Sequence, residues 1–260
     1  MTTDPSVLLR VDSGVATVTL NRAEAKNRLD AESMALLLEH LHATAQDPQV
    51  RVVVLTGSGT TFCSGADLSG ALAATSGGFA SGGTSGLVEV LTEMLDHPKP
   101  IVGRIQGHVA GGGNGLVAAC DIAVASADAK FAFSEVRVGV APAIISVVCL
   151  QVMHRRDGQE LLLTGERVSA VRVRDAGLVT HVVEADGLDA AVAAYVDQLT
   201  QGGPEAVART KELLRRVPAM TREASFAWTA EVSAGLFTSA EAREGMTAFI
   251  EKRRANFQGK

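Results

Sequence analysis

The stretch Gly107-His108-Val109-Ala110-Gly111-Gly112-Gly113-Asn114-Gly115 constrains this chain more than any other. It follows an apolar run, Pro100 to Ile105, that reads as a buried strand, and it precedes a small-residue helix and a second apolar run, Ile122 to Ala125. Consecutive glycines at a strand-to-helix junction let backbone approach a ligand with no Cβ in the way. The first amides of such a helix have no intrahelical acceptor and point at whatever binds there. Two readings follow: an anion or oxyanion site made of backbone, or a tight turn that allows close helix packing.

Strand patterns near residues 17, 53, 103, 123 and 181, separated by helical ones, predict an α/β core of repeated strand–turn–helix units. A hairpin turn is expected at Asp12-Ser13-Gly14, and a helix from Ala31 to Ala45 capped by Asp30. The Gly/Ser/Ala-rich segment Ser69 to Gly86 reads as a mobile loop, followed by a helix from Leu87 to Asp96 that Pro98 stops. From Gly187 the pattern is helical, and Thr238 with Glu241 forms a capping-box pattern for a last helix reaching about Asn256. The shift in composition near residue 200 divides the chain into an α/β core (1–200) and a C-terminal helical region (201–260).

Composition excludes several partners. Net charge is -5 and aromatic residues make up 4% of the 260 residues, so neither a basic field nor stacking platforms suit nucleic acid. No apolar run approaches the ~20 residues that span a bilayer, and Met1 to Pro5 carries no secretory pattern. The three cysteines, Cys63, Cys120 and Cys149, lack metal-ligand spacing and read as free thiols of a cytoplasmic protein.

Among residues that could carry chemistry, Gly111, Gly113 and Gly115 give GxGxG, which falls short of the dinucleotide fingerprint, and no GxxxxGK[ST] pattern is present. Glu135 lies between an apolar strand and an apolar helix, where partial desolvation would raise its pKa. It reads as a general acid/base or as a structural glutamate paired with Arg137. Asp67 and Asp121 read foremost as turn and strand-start caps, His108 as a hydrogen-bonded structural residue, and Cys63 as a small buried thiol. There is no HExxH, CxxC or acidic cluster, so no metal is expected.

Two separated segments gain meaning together. Phe62-Cys63-Ser64-Gly65-Ala66-Asp67-Leu68 and Gly107-His108-Val109-Ala110-Gly111-Gly112-Gly113 resemble the paired signatures of the enoyl-CoA hydratase/isomerase (crotonase) family. The resemblance runs across nearly the whole chain, through Asn21-Arg22 and Lys26-Asn27 to Glu244-Gly245-Met246-Thr247-Ala248-Phe249-Ile250-Glu251-Lys252-Arg253. It implies a crotonase-like α/β spiral of repeated β-β-α units with a C-terminal helical trimerisation region. It implies a homotrimer or a hexamer built from two trimers, and an acyl-CoA thioester substrate whose coenzyme A is part of the substrate, with no separate cofactor. Carried over residue by residue, the amides of Ala66 and Gly112 form an oxyanion hole. Lys26, Ala66, Asp67, Leu68 and Gly112 line the coenzyme, and Phe249 and Lys252 close over it.

The family's two-glutamate hydratases carry one acid shortly after the glycine run and one after the next strand. The first position here is Gly115; the second is Glu135. The segment from Ser134 to Gly139 resembles a bacterial branch described as methylglutaconyl-CoA or general enoyl-CoA hydratases, with Ala143 and Ser146 in place of the usual glycines. The resemblance therefore implies an enoyl-CoA hydratase using Glu135. A Δ3,Δ2-enoyl-CoA isomerase using the same single base is the first alternative, and a non-catalytic acyl-CoA-binding protein the second.

Overall fold

A computed structural model describes residues 4–66 and 78–257. The chain opens on an antiparallel hairpin, β1 (Val7–Asp12) and β2 (Val15–Leu20), turned by Ser13 and Gly14, both with left-handed backbone. Helix α1 (Ala31–Gln46) follows, with Asp30 capping the Ser33 amide and Ser33 Oγ accepting from the Asp30 amide. Three strand pairs come next: β3 (Val52–Gly57) and β4 (Thr61–Cys63), β5 (Ile101–Ile105) and β6 (His108–Ala110), β7 (Ile122–Ser126) and β8 (Lys130–Ala132). Each pair leads into a helix: α2 (Gly78–Asp96), α3 (Gly112–Ala119) and α4 (Ala143–Val152).

One strand of each pair enters each of two sheets. The larger runs β1-β2-β3-β5-β7-β10, with β10 spanning His181–Val183, and is parallel from β2 onward. The smaller runs β4-β6-β8-β9, with β9 (Arg167–Ser169) antiparallel to β8. This is the expected β-β-α spiral. Every residue of β3 is buried, as a strand covered on both faces requires. Its alternate side chains divide accordingly. Val53 and Leu55 join the main core with α1, α2 and α3, while Val52 and Val54 pack against Leu188 and Val192 of α7 (Leu188–Thr200).

Helices α5 (Arg155–Thr164) and α6 (Ala170–Asp175) flank β9, and α8 (Pro204–Arg216), α9 (Arg222–Phe237) and α10 (Ala240–Ile250) complete the chain. Two local expectations need correction. Helix α2 begins at Gly78, so the later part of the Ser69 to Gly86 segment is helical; residues 69–77 lie outside the described ones. Its apolar stripe Leu87, Val90, Leu91 and Met94 is buried against the core, and a helix so anchored extends at little cost per residue. The cap of α10 is Ser239, whose Oγ accepts from the Ala242 amide at 3.0 Å. Thr238 is committed elsewhere, donating to Ala234 and Gly235 carbonyls at the end of α9. Glu241 in turn accepts from the Glu205 and Ala206 amides at the start of α8. The helix stops at Ile250, short of Asn256.

Candidate functional site

The glycine run folds as a corner. His108 to Ala110 form β6, Gly111 turns the chain at φ +50, and Gly112 begins α3. The Gly111 amide donates to Ala132 O at 3.3 Å, and Asn114 Nδ2 donates to the same carbonyl at 2.8 Å, so the corner is bolted to the end of β8. A second corner meets it. Gly65 has φ +87, and a β-carbon there would lie 2.9 Å from Ala110 O and 3.2 Å from the Gly112 nitrogen. Only glycine permits that backbone and that approach. Ala66 follows, held by the Leu29 amide donating to Gly65 O at 2.8 Å.

Two amides thus stand at one spot. Gly112 is the first residue of its helix, where an amide has no intrahelical acceptor. Among the described residues, neither the Ala66 amide nor the Gly112 amide donates to a protein acceptor. Gly113 makes the packing possible, since a β-carbon there would meet Cys63 O at 2.8 Å. The tight turn with close packing is therefore observed, and it leaves two amides with no protein acceptor among the described residues.

Glu135 reaches this corner from a short 3-10 turn, Ser134–Val138, that follows β8. Its Oε1 lies 3.7 Å from where a β-carbon on Gly111 would sit. Its Oε2 is buried and has no hydrogen-bond partner. Desolvation raises the carboxyl's pKa above the ordinary value. The structural alternative, a pair with Arg137, is not observed: Arg137 Nε donates to Thr164 O. The partly buried carboxylate has burial acting on it and no cation to offset it.

Gly115 faces an apolar wall. A β-carbon there would lie 2.7 Å from Ile145 Cγ2 and 3.5 Å from Leu91 Cδ1. Ile145 fills the place from α4. Cys149, one turn further along α4, points its thiol at Asn114 O, and burial together with Glu135 keeps that thiol protonated.

The remaining candidates sort clearly. Lys26 is exposed with φ +55, and its carbonyl accepts from the Ser64 amide, which places it beside the Ala66 corner. Asp67 and Leu68 lie outside the described residues. Phe249 is exposed near the end of α10, which packs against α9, and Lys252 is exposed just past that helix. His108 is exposed on β6; Cys63 is buried, its thiol pushed up to about 12; Asp121 accepts from the Ile101 amide. Asn27 was not singled out, yet it is buried and ties three loops: its Oδ1 accepts from Arg22 N, and its Nδ2 donates to Ser58 O and Thr61 O. Its left-handed φ of +51 was the missing signal, one that sequence spacing does not carry. Among the described residues no group of three His, Cys, Asp or Glu side chains could hold a metal, and no helix is long and apolar enough to cross a membrane.

Comparison with known proteins agrees with this arrangement. The family model described as enoyl-CoA hydratase/isomerase matches residues 10–260. A putative enoyl-CoA hydratase of Thermus thermophilus is 33% identical over 253 residues, covering 96% of this chain and 100% of the relative. An (E)-benzylidenesuccinyl-CoA hydratase of Thauera aromatica is 34% identical over 255 residues, covering 97% and 99%. The crystal structure of an enoyl-CoA hydratase from Mycobacterium smegmatis superposes with a TM-score of 0.94 at 35% identity, covering 98% and 100%. The two-sheet β-β-α spiral is shared with these neighbours, and the chain belongs to the enoyl-CoA hydratase/isomerase (crotonase) family, a family of enzymes.

Proposed function

We propose that this chain is an enoyl-CoA hydratase-type lyase with Glu135 as its acid/base. The observation that carries this is the Glu135 carboxylate standing over Gly111 with no cation beside it and its buried Oε2 unpartnered, next to the corner that carries the Ala66 and Gly112 amides. A thioester carbonyl accepting from both amides is polarised, so its β-carbon becomes electrophilic. Preorganised donors of this kind contribute about 3 kcal/mol each to the transition state. Glu135 takes a proton from water as the water oxygen bonds to the β-carbon. The electron pair of the double bond moves through the α-carbon onto the thioester oxygen. Glu135 then returns that proton to the α-carbon, so one water is added and the carboxylate is regenerated. Relatives named as hydratases support this direction.

One observation favours a second reading. The space beside Gly115 holds Ile145 and not a carboxylate, and a site with one base suits a Δ3,Δ2-enoyl-CoA isomerase equally well. There Glu135 would take the α-proton of a 3-enoyl-CoA and return it to the γ-carbon, with no water involved. Lys26, Asp67 and Leu68 would hold the coenzyme beside the amides, and Phe249 and Lys252 would close over its nucleotide end, from the same or a neighbouring copy. Coenzyme A enters as part of the substrate. The assembly would be a homotrimer or a hexamer, for which the exposed Phe226 and Phe237 of α9 supply apolar surface. Three free thiols suit the cytoplasm.

The test offers a 2-enoyl-CoA and a 3-enoyl-CoA in separate reactions and follows product mass. Gain of water from the 2-enoyl-CoA supports the lyase; migration of the double bond without mass change supports the isomerase. The Glu135→Gln variant should lose about 10²–10⁴-fold in kcat while still binding the thioester. A wild-type protein that binds the thioesters and turns over neither would point to the non-catalytic acyl-CoA-binding alternative.

A further inference from the structure

Among the described residues five buried side-chain atoms lack a hydrogen-bond partner: Ser6 Oγ, Arg22 Nε, Ser58 Oγ, Asn114 Oδ1 and Glu135 Oε2. The last two belong to one neighbourhood. Asn114 lies in the first turn of α3 and is wholly buried. Its other polar groups are all committed. The Asn114 amide donates to Gly111 O at 2.9 Å, its carbonyl accepts from Cys149 Sγ at 3.7 Å, and Nδ2 donates to Ala132 O at 2.8 Å. The Nδ2 bond fixes which end of the side-chain amide is oxygen, so Oδ1 is the acceptor left over.

Glu135 shares these neighbours. It follows closely on Ala132, its Oε1 is 3.7 Å from where a β-carbon on Gly111 would sit, and its charge acts on the Cys149 thiol. Two unpartnered acceptors cannot satisfy one another, and a buried acceptor needs a proton. The groups that face Glu135 offer none to spare among the described residues. Arg137, on the same turn, is committed to Thr164 O, and the Cys149 thiol of α4 to Asn114 O. The Glu135 amide is the one group that favours the ionised carboxyl, and no cation offsets its burial. A carboxyl that has taken up a proton supplies what both oxygens lack.

We propose that Asn114 is a positioning residue for Glu135: when Glu135 carries the proton, its O–H donates to Asn114 Oδ1, directly or across one water. The consequence for turnover rests on the reading of Glu135 as the acid/base. The proton taken from water is then held in one place until it passes to the α-carbon. A hydrogen bond made only by the protonated form also moves the carboxyl's midpoint upward, in the same direction as burial.

The experiment is a pH titration followed by carbon-13 NMR, with asparagine labelled at Cγ and glutamate at Cδ. The chain has four asparagines, so the Asn114 signal is assigned by its loss in Asn114→Ala or by elimination against the other three. The Glu135 signal is the one missing from Glu135→Gln. In wild type the Asn114 Cγ signal should move downfield as Glu135 is protonated, with the Glu135 midpoint, and it should stay flat in Glu135→Gln. Asn114→Ala, with folding followed by circular dichroism, should lower the Glu135 midpoint by about one pH unit, and the pH profile of kcat/KM should move with it. An Asn114 signal that ignores the Glu135 titration overturns the proposal, and this arm needs only wild type if Asn114→Ala does not fold. Lower activity in Asn114→Ala at an unchanged midpoint reduces Asn114 to a tie between α3 and β8, and also overturns it. If the Asn114 signal follows Glu135 in a protein that turns over neither enoyl-CoA, the shared proton stands and the acid/base reading fails.

Discussion

If Glu135 is the acid/base proposed above, its desolvation has opposite consequences for activity and stability. Its folded pKa is raised, so the folded state holds the proton to higher pH than the unfolded chain, whose carboxyl titrates at about 4.3. Stability contributed by the protonated form is present below the unfolded pKa and is lost as pH rises through the folded one. Glu135→Gln removes that loss. Its melting temperature should exceed that of wild type above this window and converge with it at acidic pH, as differential scanning calorimetry at several pH values would register. The proposed hydration needs the ionised form, so kcat/KM of wild type should rise with pH through a pKa above the usual carboxylate range. Gly115 gives a second prediction at this scale. Gly115→Ala brings a β-carbon to 2.7 Å from Ile145 Cγ2 and should cost about 1–3 kcal/mol by urea titration. Ile145→Ala should cost about 2–5 kcal/mol. The double variant should cost less than the sum, because each change supplies room the other needs. An additive result would mean that the two side chains do not share that space.

At the scale of elements, the site is two backbone corners pressed together, and glycine identity is what lets them meet. Gly65→Ala is predicted to lower kcat more than it raises KM, since its β-carbon would meet Ala110 O at 2.9 Å and move the Ala66 amide away from Gly112. Steady-state kinetics beside a thermal melt would separate this from simple unfolding. The glycine corner was legible in sequence because consecutive glycines between apolar runs have few physical uses. The partner corner was not: Phe62 to Leu68 has no periodicity, and its meaning came from resemblance. Capping was legible where one residue type had one task, as at Asp30, whose side chain accepts from the Ser33 amide. It was misread at Thr238 because a hydroxyl can end one helix as readily as start another. Of the second sheet only the strand before Glu135 was legible, because its strands are three residues long, too short for alternation to register.

Across the whole molecule, the buried strands around Val53, Val102 and Val124 were legible as continuous β-branched or apolar runs, and they order the larger sheet. What no local pattern carries is the tie between the core and the C-terminal helices. Lys211 of α8, almost wholly buried, donates to Met94 O at 3.0 Å and Asp121 Oδ2 at 2.7 Å, and Asp121 also caps the Ile101 amide. Lys211→Met leaves that carboxylate and carbonyl partly unsatisfied and should destabilise the fold by about 1–3 kcal/mol in urea titration. Sedimentation should find three or six copies, and charge placed on α9 at Phe226 should lower that number. On the proposed mechanism one carboxylate, Glu135, adds water to a thioester polarised by the Ala66 and Gly112 amides. The most direct test incubates a short-chain 2-enoyl-CoA with wild type and with Glu135→Gln and weighs the product by mass spectrometry. Wild type should add one water to the substrate, and the variant almost none over the same time. Equal water gain by both proteins would contradict it.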